Sequence, residues 1–132
     1  MAWQIYEFVD ERQRGVIEDW LRREKIQKKA RILLNQKIHF LGAYGPDLPP
    51  QLLAGPIDGL PIYKLKVRAR GVQLRPMLCR GPVDNDREYT LLLGAVEKDG
   101  KLIPEDAPQR ANANRTVLVA NPSRRRVHEN DF

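Results

Sequence analysis

Apolar and polar positions in the first part of the chain predict a strand followed by two helices. Strand-favouring residues occupy residues 3–8, and Asp10 is placed to cap the helix that follows. Apolar residues then recur at the helical period over residues 14–24, and again over residues 26–44. Almost no linker separates the two periodic segments, so they form either a tight helical hairpin or one bent helix.

A long segment rich in glycine and proline interrupts this pattern. Residues 44–61 contain eight residues of these two types, which exclude a regular helix or a central strand. A loop of this length inside a compact domain is typical of a functional or partner-facing segment.

The pattern then changes to the alternation that is typical of strands. Apolar and polar residues alternate over residues 62–69 and 72–79, on either side of Arg70-Gly71, which predicts a β-hairpin. Residues 88–96 are so apolar that they predict a central strand covered on both faces.

The last predicted element is a helix. Asp99-Gly100 predicts a turn after the central strand, and Pro104 suits the first position of a helix that ends near residue 121. The resulting order is β-α-α-β-β-β-α. Helices that precede a run of strands indicate an α+β fold, with an antiparallel sheet of about four strands and a C-terminal helix.

Length and composition indicate one domain. The chain has 132 residues, of which 42% are hydrophobic and 30% are charged, as expected for one ordinary domain with a core. We place this domain at residues 1–122 and a basic C-terminal tail at residues 123–132. The N-terminus lacks the features of a secretory signal, and no apolar run approaches the ~20 residues that span a bilayer. A cytoplasmic protein without membrane association is therefore expected.

Charge and cysteine content narrow the classes of partner. The net charge of +6 favours a polyanionic partner such as RNA, DNA, an anionic membrane or an acidic protein, with solubility alone as the competing explanation. The chain has a single cysteine, Cys79, and therefore no intramolecular disulfide. One cysteine and two distant histidines, His39 and His128, are too few for a usual tetrahedral zinc site. No metal or other cofactor is expected, and Cys79 is interpreted as a small buried hydrophobic residue.

The predicted hairpin brings basic side chains together. Because side chains alternate across a strand, Lys64, Lys66 and Arg68 share one face of the first strand. A two-residue turn sets Lys66 opposite Arg75 on one exposed face of the hairpin, about 5 Å away. Opposed like charges are unfavourable unless an anion lies between them, and the phosphates of RNA fit that position. The alternative is a solvated basic face whose lysine stems cover apolar surface.

Two features bear on this interpretation. Pro76 has no N–H, so either its strand lies at a sheet edge there or the predicted register is wrong. Outside the paired strands, the candidate RNA contacts are Arg70 in the turn and Arg124 and Arg125 in the tail. A short terminal basic run is more often a solvated tail, in which His128 would be incidental.

Several short motifs follow one another in the second half of the chain. They are Ile62-Tyr63-Lys64-Leu65-Lys66-Val67, Leu74-Arg75, Leu91-Leu92-Leu93-Gly94-Ala95-Val96-Glu97-Lys98, and Pro104 with Ala111. With the preceding strand and helices, their order and spacing over residues 3–115 resemble the RelE/HigB superfamily of bacterial toxins, including its phage-derived branch. The corresponding family patterns are L-y-E-L-R-v, an aromatic or apolar residue before Arg, L-L-h-g-F-x-K-K, and a Pro-led helix with a small residue about two turns in.

Three departures from the family bear on activity. The family's Glu and Arg in the first motif are Lys64 and Lys66 here, its Phe is Ala95, and the first of its paired lysines is Glu97. The chain also extends past the usual end of the family. The resemblance therefore bears more on the fold than on the activity.

The resemblance implies the toxin of a toxin–antitoxin pair. Such toxins cut messenger RNA through its 2′-OH, usually in the ribosomal decoding site, without a metal. By position, Lys64, Lys66 and Arg68 correspond to the base and phosphate contacts. Arg75 corresponds to the cation that stabilises the transition state, and Lys98 to a second contact or acid. A cognate antitoxin would cover this basic face.

Two other classes of function stay open. One is a non-catalytic binding protein on the same fold, such as a gyrase-inhibiting relative or a phage protein that modulates its host. The other is a basic structural protein that binds nucleic acid. The pairing of Lys66 with Arg75 favours a protein with a specific site over a basic structural protein. Ala95 and Glu97 depart from the family pattern, so the sequence does not distinguish a ribonuclease from a non-catalytic binding protein.

Overall fold

The computed structural model describes residues 2–128, whose elements follow the predicted order as far as the last helix, add one strand after it, and confirm the α+β fold class. The helices are α1 (Val16–Arg23), α2 (Lys28–Tyr44) and α3 (Ala107–Ala120). The strands are β1 (Gln4–Phe8), β2 (Leu53–Ala54), β3 (Tyr63–Leu65), β4 (Val67–Ala69), β5 (Val72–Leu74), β6 (Met77–Arg80), β7 (Glu88–Leu93), β8 (Val96–Lys98), β9 (Lys101–Ile103) and β10 (Arg125–Val127).

The strands form two sheets. One has six strands in the order β10-β1-β7-β6-β3-β2, and the other has four in the order β4-β5-β8-β9. Neighbouring strands are antiparallel, except that β1 and β7 run parallel. The expected antiparallel sheet is thus divided between two sheets, and one hairpin extends through both.

Helices cover both faces of the larger sheet. Leu91 of β7 lies in the core shared with α1 and α2, whereas its neighbour Leu92 lies in the core under α3. This confirms the prediction that β7 is a central strand covered on both faces. Where β7 ends, a Cβ atom at Gly94 would lie 1.9 Å from Cδ2 of Trp20, so only glycine lets α1 approach the sheet this closely.

The two N-terminal helices are separate, and the capping of α1 differs from the prediction. Glu7 on β1 accepts hydrogen bonds from the N–H groups of Ile17 and Glu18, at 2.8 and 2.9 Å, and so satisfies the first turn of α1. Asp10 instead accepts N–H groups within its own loop. A residue distant in sequence thus replaces the local cap.

The predicted hairpin register is correct. The paired residues are Tyr63 with Leu78, Lys64 with Met77, Val67 with Leu74, Arg68 with Gln73, and Ala69 with Val72. The turn residues Arg70 and Gly71 have φ values of 51° and 83°, as a two-residue hairpin turn with two positive φ angles requires. One register therefore extends through both halves of the hairpin and sets Lys66 opposite Arg75.

The position of Pro76 is explained by a change of sheet. The chain leaves the four-stranded sheet after Leu74 and enters the six-stranded sheet at Met77, so Pro76 lies between two strands. Its carbonyl accepts the N–H of Leu65 at 3.0 Å, and its missing N–H interrupts no named strand. The predicted register is correct, and β6 does not lie at the edge of its sheet. Neither the edge position nor the wrong register that the sequence suggested therefore accounts for Pro76.

Two segments are more ordered than the sequence suggests. Within the loop at residues 44–61, a short 3₁₀ turn covers Gly45–Asp47 and β2 pairs with β3. In the segment expected as a basic tail, β10 pairs antiparallel with β1. The pairing uses backbone N–H and C=O groups at the edge of β1, so it does not depend on apolar side chains in β10. Residues 129–132 of that segment lie outside the described residues. In the described part of the chain, no helix combines the length and apolar character needed to cross a membrane.

Candidate functional site

The hairpin positions basic side chains where it passes from one sheet to the other. The register of the flanking pairs sets Lys66 opposite Arg75 at the bend, with Lys64 on one side and Arg68 on the other. The backbone N–H of Lys66 donates to the carbonyl oxygen of Leu52 at 2.7 Å, and the backbone N–H of Arg75 donates to the carbonyl oxygen of Ala95 at 2.8 Å. Both backbones are therefore fixed by neighbouring segments, and the bend is a rigid position.

Arg75 is nearly buried, with 6% of its surface exposed. Its Nη2 lies 3.3 Å from Oε2 of Glu97 and also donates to Oε1 of Gln73, while its Nη1 donates to the Leu74 carbonyl at 3.0 Å. Its Nε has no hydrogen-bond partner among the described residues. The expectation that Arg75 lies on an exposed face is therefore wrong, because the residue is folded inward against these acceptors.

Glu97 joins the cations of the two hairpin strands. Its Oε1 lies 3.8 Å from Nζ of Lys64, and its Oε2 faces Arg75. Pairing of β8 with β5 sets Glu97 opposite Gln73, which places the carboxylate on the basic side of the hairpin. We call these four residues, Lys64, Gln73, Arg75 and Glu97, the Glu97 cluster. In the free protein, Arg75 therefore shares a side-chain anion with Lys64.

The cluster is open to solvent on one side. The side chains of Lys64 and Glu97 are 22% and 24% exposed. Arg68 on β4 and Arg70 in the turn are exposed and form no salt bridge within residues 2–128. A ligand that reached Glu97 would therefore also meet unpaired positive charge along the hairpin.

The other expected site residues lie elsewhere. Lys98 is exposed, follows Glu97 directly and therefore points to the opposite side of β8, where its strand partner is Lys101. Arg124 donates to the Val9 carbonyl at 3.1 and 3.2 Å and stacks over the Phe8 ring. The structure therefore does not bring Lys98 or Arg124 to the cluster.

Arg125 is also committed to internal contacts. Its guanidinium forms an ion pair with Glu88 and lies 3.7 Å from the centre of the Tyr6 ring. It belongs to β10, which is separated from β3 by β1, β7 and β6. Arg124 and Arg125 thus anchor the C-terminal strand at the far side of the larger sheet.

Cys79 fits the buried hydrophobic role expected of it. It lies in the core under α3, and burial raises the pKa of its thiol to about 12, against the lowering effect of the Arg115 and Arg125 charges. A thiol so seldom ionised is a poor nucleophile.

Sequence reasoning missed Glu97 and Gln73 as members of the site. In the sequence, Glu97 stands out only as a departure from a family pattern. Alternation along β8 could have set Glu97 apart from Lys98, but the pairing of β8 with β5 was needed to place it beside Arg75. No protein-family model, no curated protein and no solved structure matches this chain.

Proposed function

We propose that the protein is an endoribonuclease toxin that cuts messenger RNA through the ribose 2′-OH and is neutralised by a cognate antitoxin. The observation that supports this most is the convergence of Lys64 and Arg75 on the Glu97 carboxylate. The reaction requires a base, a fixed cation and a proton donor, and the cluster offers the first two with Lys66 beside it on the hairpin as the third. The proposed site needs no metal, because side chains supply each of these groups.

RNA binding follows from the charges along the hairpin. Lys66, Arg68 and Arg70 add positive charge beside the cluster, and single-stranded RNA presents one phosphate per nucleotide. Arginine can contact two phosphate oxygens at once, whereas lysine acts as a compact point charge. We expect binding to weaken as salt concentration rises.

The proposed reaction assigns one role to each group. Glu97 accepts the proton of the 2′-OH, since a carboxylate in its charged form is a proton acceptor. The 2′-oxygen attacks the adjacent phosphorus, and the bond to the 5′-oxygen breaks to leave a 2′,3′-cyclic phosphate. Lys66, an ammonium donor opposite Arg75, gives a proton to the leaving 5′-oxygen. Arg75 stabilises the negative charge that builds up on the phosphate oxygens.

Primer extension on messages from cells that express the protein tests this proposal. We expect cleavage by the wild type and a loss of about 10²–10³ in rate for Arg75→Lys, which keeps the charge but not the paired donors. Glu97→Gln should remove cleavage because the amide is not a base. Arg12→Ala, which alters an exposed cation in the loop after β1, is the matched control and should cut like the wild type.

A second candidate function is RNA binding without cleavage. It is favoured by the burial of Arg75, whose donors already meet Glu97, Gln73 and the Leu74 carbonyl. Uncut messages from wild-type cells, together with salt-sensitive RNA binding by the purified protein, would replace the nuclease proposal by this one.

The ribosome and the antitoxin belong to the same proposal. Cleavage that needs added ribosomes would place the reaction in the decoding site. Rescue of growth by the product of the adjacent gene would identify the antitoxin. Growth that is unaffected by expression, with every message intact, would contradict the toxin assignment.

A further inference from the structure

We infer that Glu97 occupies the position of the substrate phosphate in the free protein, so that RNA binds by displacing an internal anion. This inference rests on the proposed function, because it concerns how the same site exchanges one anion for another. It is compatible with the assignment of Glu97 as the base, because the carboxylate gives up only its place at the cations and stays beside the bound nucleotide, where it can accept the proton of the 2′-OH.

The geometry resembles that of a bound phosphodiester. The two oxygens of Glu97 are divided between two cations, with Lys64 at Oε1 and Arg75 at Oε2. A phosphodiester also presents two unbridged oxygens that share one negative charge. The same two cations can therefore accept either anion, but they cannot accept both at full strength.

Burial makes the two cations unequal partners in this exchange. Arg75 is also fixed by Gln73 and by the Leu74 carbonyl, so its guanidinium stays in place when Glu97 leaves. The side chain of Glu97 is 24% exposed, and within residues 2–128 its carboxylate pairs only with these two cations. The carboxylate is the member of the cluster that can turn away from the cations while it stays at the edge of the site.

Displacement has an energetic consequence. RNA that binds the wild type must first replace two ion pairs, and part of its own interaction with the cations is used in doing so. Neutralising Glu97 removes this competition and leaves the cations for phosphate. Glu97→Gln should therefore bind RNA more tightly than the wild type, although it should cut RNA more slowly.

The test measures binding of a single-stranded 2′-O-methyl RNA, which cannot be cut through its 2′-oxygen. We expect Glu97→Gln to bind this probe about tenfold more tightly than Glu11→Gln, which makes the same change of charge at an exposed position in the loop after β1. The dependence of affinity on salt should steepen by about one phosphate contact. Equal affinities of the two variants, or weaker binding by Glu97→Gln, would overturn the inference.

A second pair of variants keeps the test independent of the stability of Glu97→Gln. Gln73→Glu adds a negative charge beside Arg75 without a change of shape, and Gln36→Glu adds one at an exposed position on α2. We expect the first to weaken binding more than the second, because it adds a further competitor at the cations. Equal effects would contradict the inference.

The outcomes separate this inference from the nuclease proposal. Tighter binding by Glu97→Gln with no cleavage by the wild type would keep the inference and reject the nuclease. Cleavage by the wild type with unchanged binding by Glu97→Gln would do the reverse. No binding of the probe by any variant would reject both.

Discussion

The Nδ1 atom of His128 lies 3.0 Å from Oε1 of Glu7, and its Nε2 atom lies 3.1 Å from Oδ1 of Asn35. Glu7 belongs to β1, Asn35 to α2, and His128 follows β10 directly, so one imidazole connects three elements. Glu7 is 2% exposed and Asn35 is 6% exposed. A buried polar network therefore holds the end of the described chain, in place of the solvated tail that its arginines suggest.

Replacing His128 by alanine should destabilise the fold strongly. The substitution removes a partner from a buried carboxylate, and breaking a buried pair in this way typically costs about 3–5 kcal/mol of unfolding free energy. Urea denaturation of the two proteins measures the difference. Val127→Ala, at a half-exposed neighbour in β10, should change stability by no more than about 0.5 kcal/mol. Equal losses in the two variants would show that the network contributes little.

Glu7 should make stability depend on acidity. Burial by itself raises the pKa of Glu7, but hydrogen bonds from His128 and from the Glu18 N–H, with the charges of His128 and Arg126, outweigh it and lower the pKa below 4.5. A carboxyl whose pKa is lowered by folding stabilises the fold at every pH above its pKa in the unfolded chain. This contribution is lost as the pH falls through the pKa of the carboxyl in the folded protein.

The unfolding free energy of the wild type should therefore fall as the pH is lowered from neutral through the pKa of Glu7. In Glu7→Gln the same decrease in pH should lower the unfolding free energy less. Asp10 also has a lowered pKa, owing first to its hydrogen bond with the Arg14 N–H, so a smaller decline should persist in that variant. An identical pH profile for wild type and Glu7→Gln would contradict the assignment.

The core beneath α2 should respond unequally to two adjacent leucines. The helical pattern places both Leu33 and Leu34 toward the core, but Leu34 is fully buried whereas Leu33 is only partly so. Leu34→Ala should lower the unfolding free energy by about 2–5 kcal/mol, because a buried side chain leaves a cavity. Leu33→Ala should cost less in the same denaturation experiment. The reverse order would mean that α2 is rotated relative to the sheet.

Cys79 should be unreactive while the protein is folded. Only the thiolate attacks a disulfide reagent, and a pKa of about 12 leaves almost none of it at neutral pH. Titration with such a reagent should give no signal in buffer and one equivalent in denaturant, since the chain has a single cysteine. Rapid modification of the native protein would show that this part of the core opens readily.

The order of elements and the hairpin register could be predicted from sequence because both depend on local rules. Alternation places Lys64, Lys66 and Arg68 on one side of a strand, and a two-residue turn at Arg70-Gly71 sets the pairing of everything that follows. These rules act within the hairpin itself. For that reason the opposition of Lys66 and Arg75 was predictable even though Pro76 argued against it.

Only the tertiary structure decided which anion meets these cations and how the chain ends. Glu97 lies 22 positions from Arg75, and His128 lies 121 positions from Glu7. No periodicity in the sequence relates such residues, because pairing of β8 with β5 and of β10 with β1 depends on the free energy of the whole packed molecule. The sequence by itself therefore determined where positive charge collects along the hairpin. The fold determined that a carboxylate of the same chain, Glu97, pairs with two of these cations, Lys64 and Arg75.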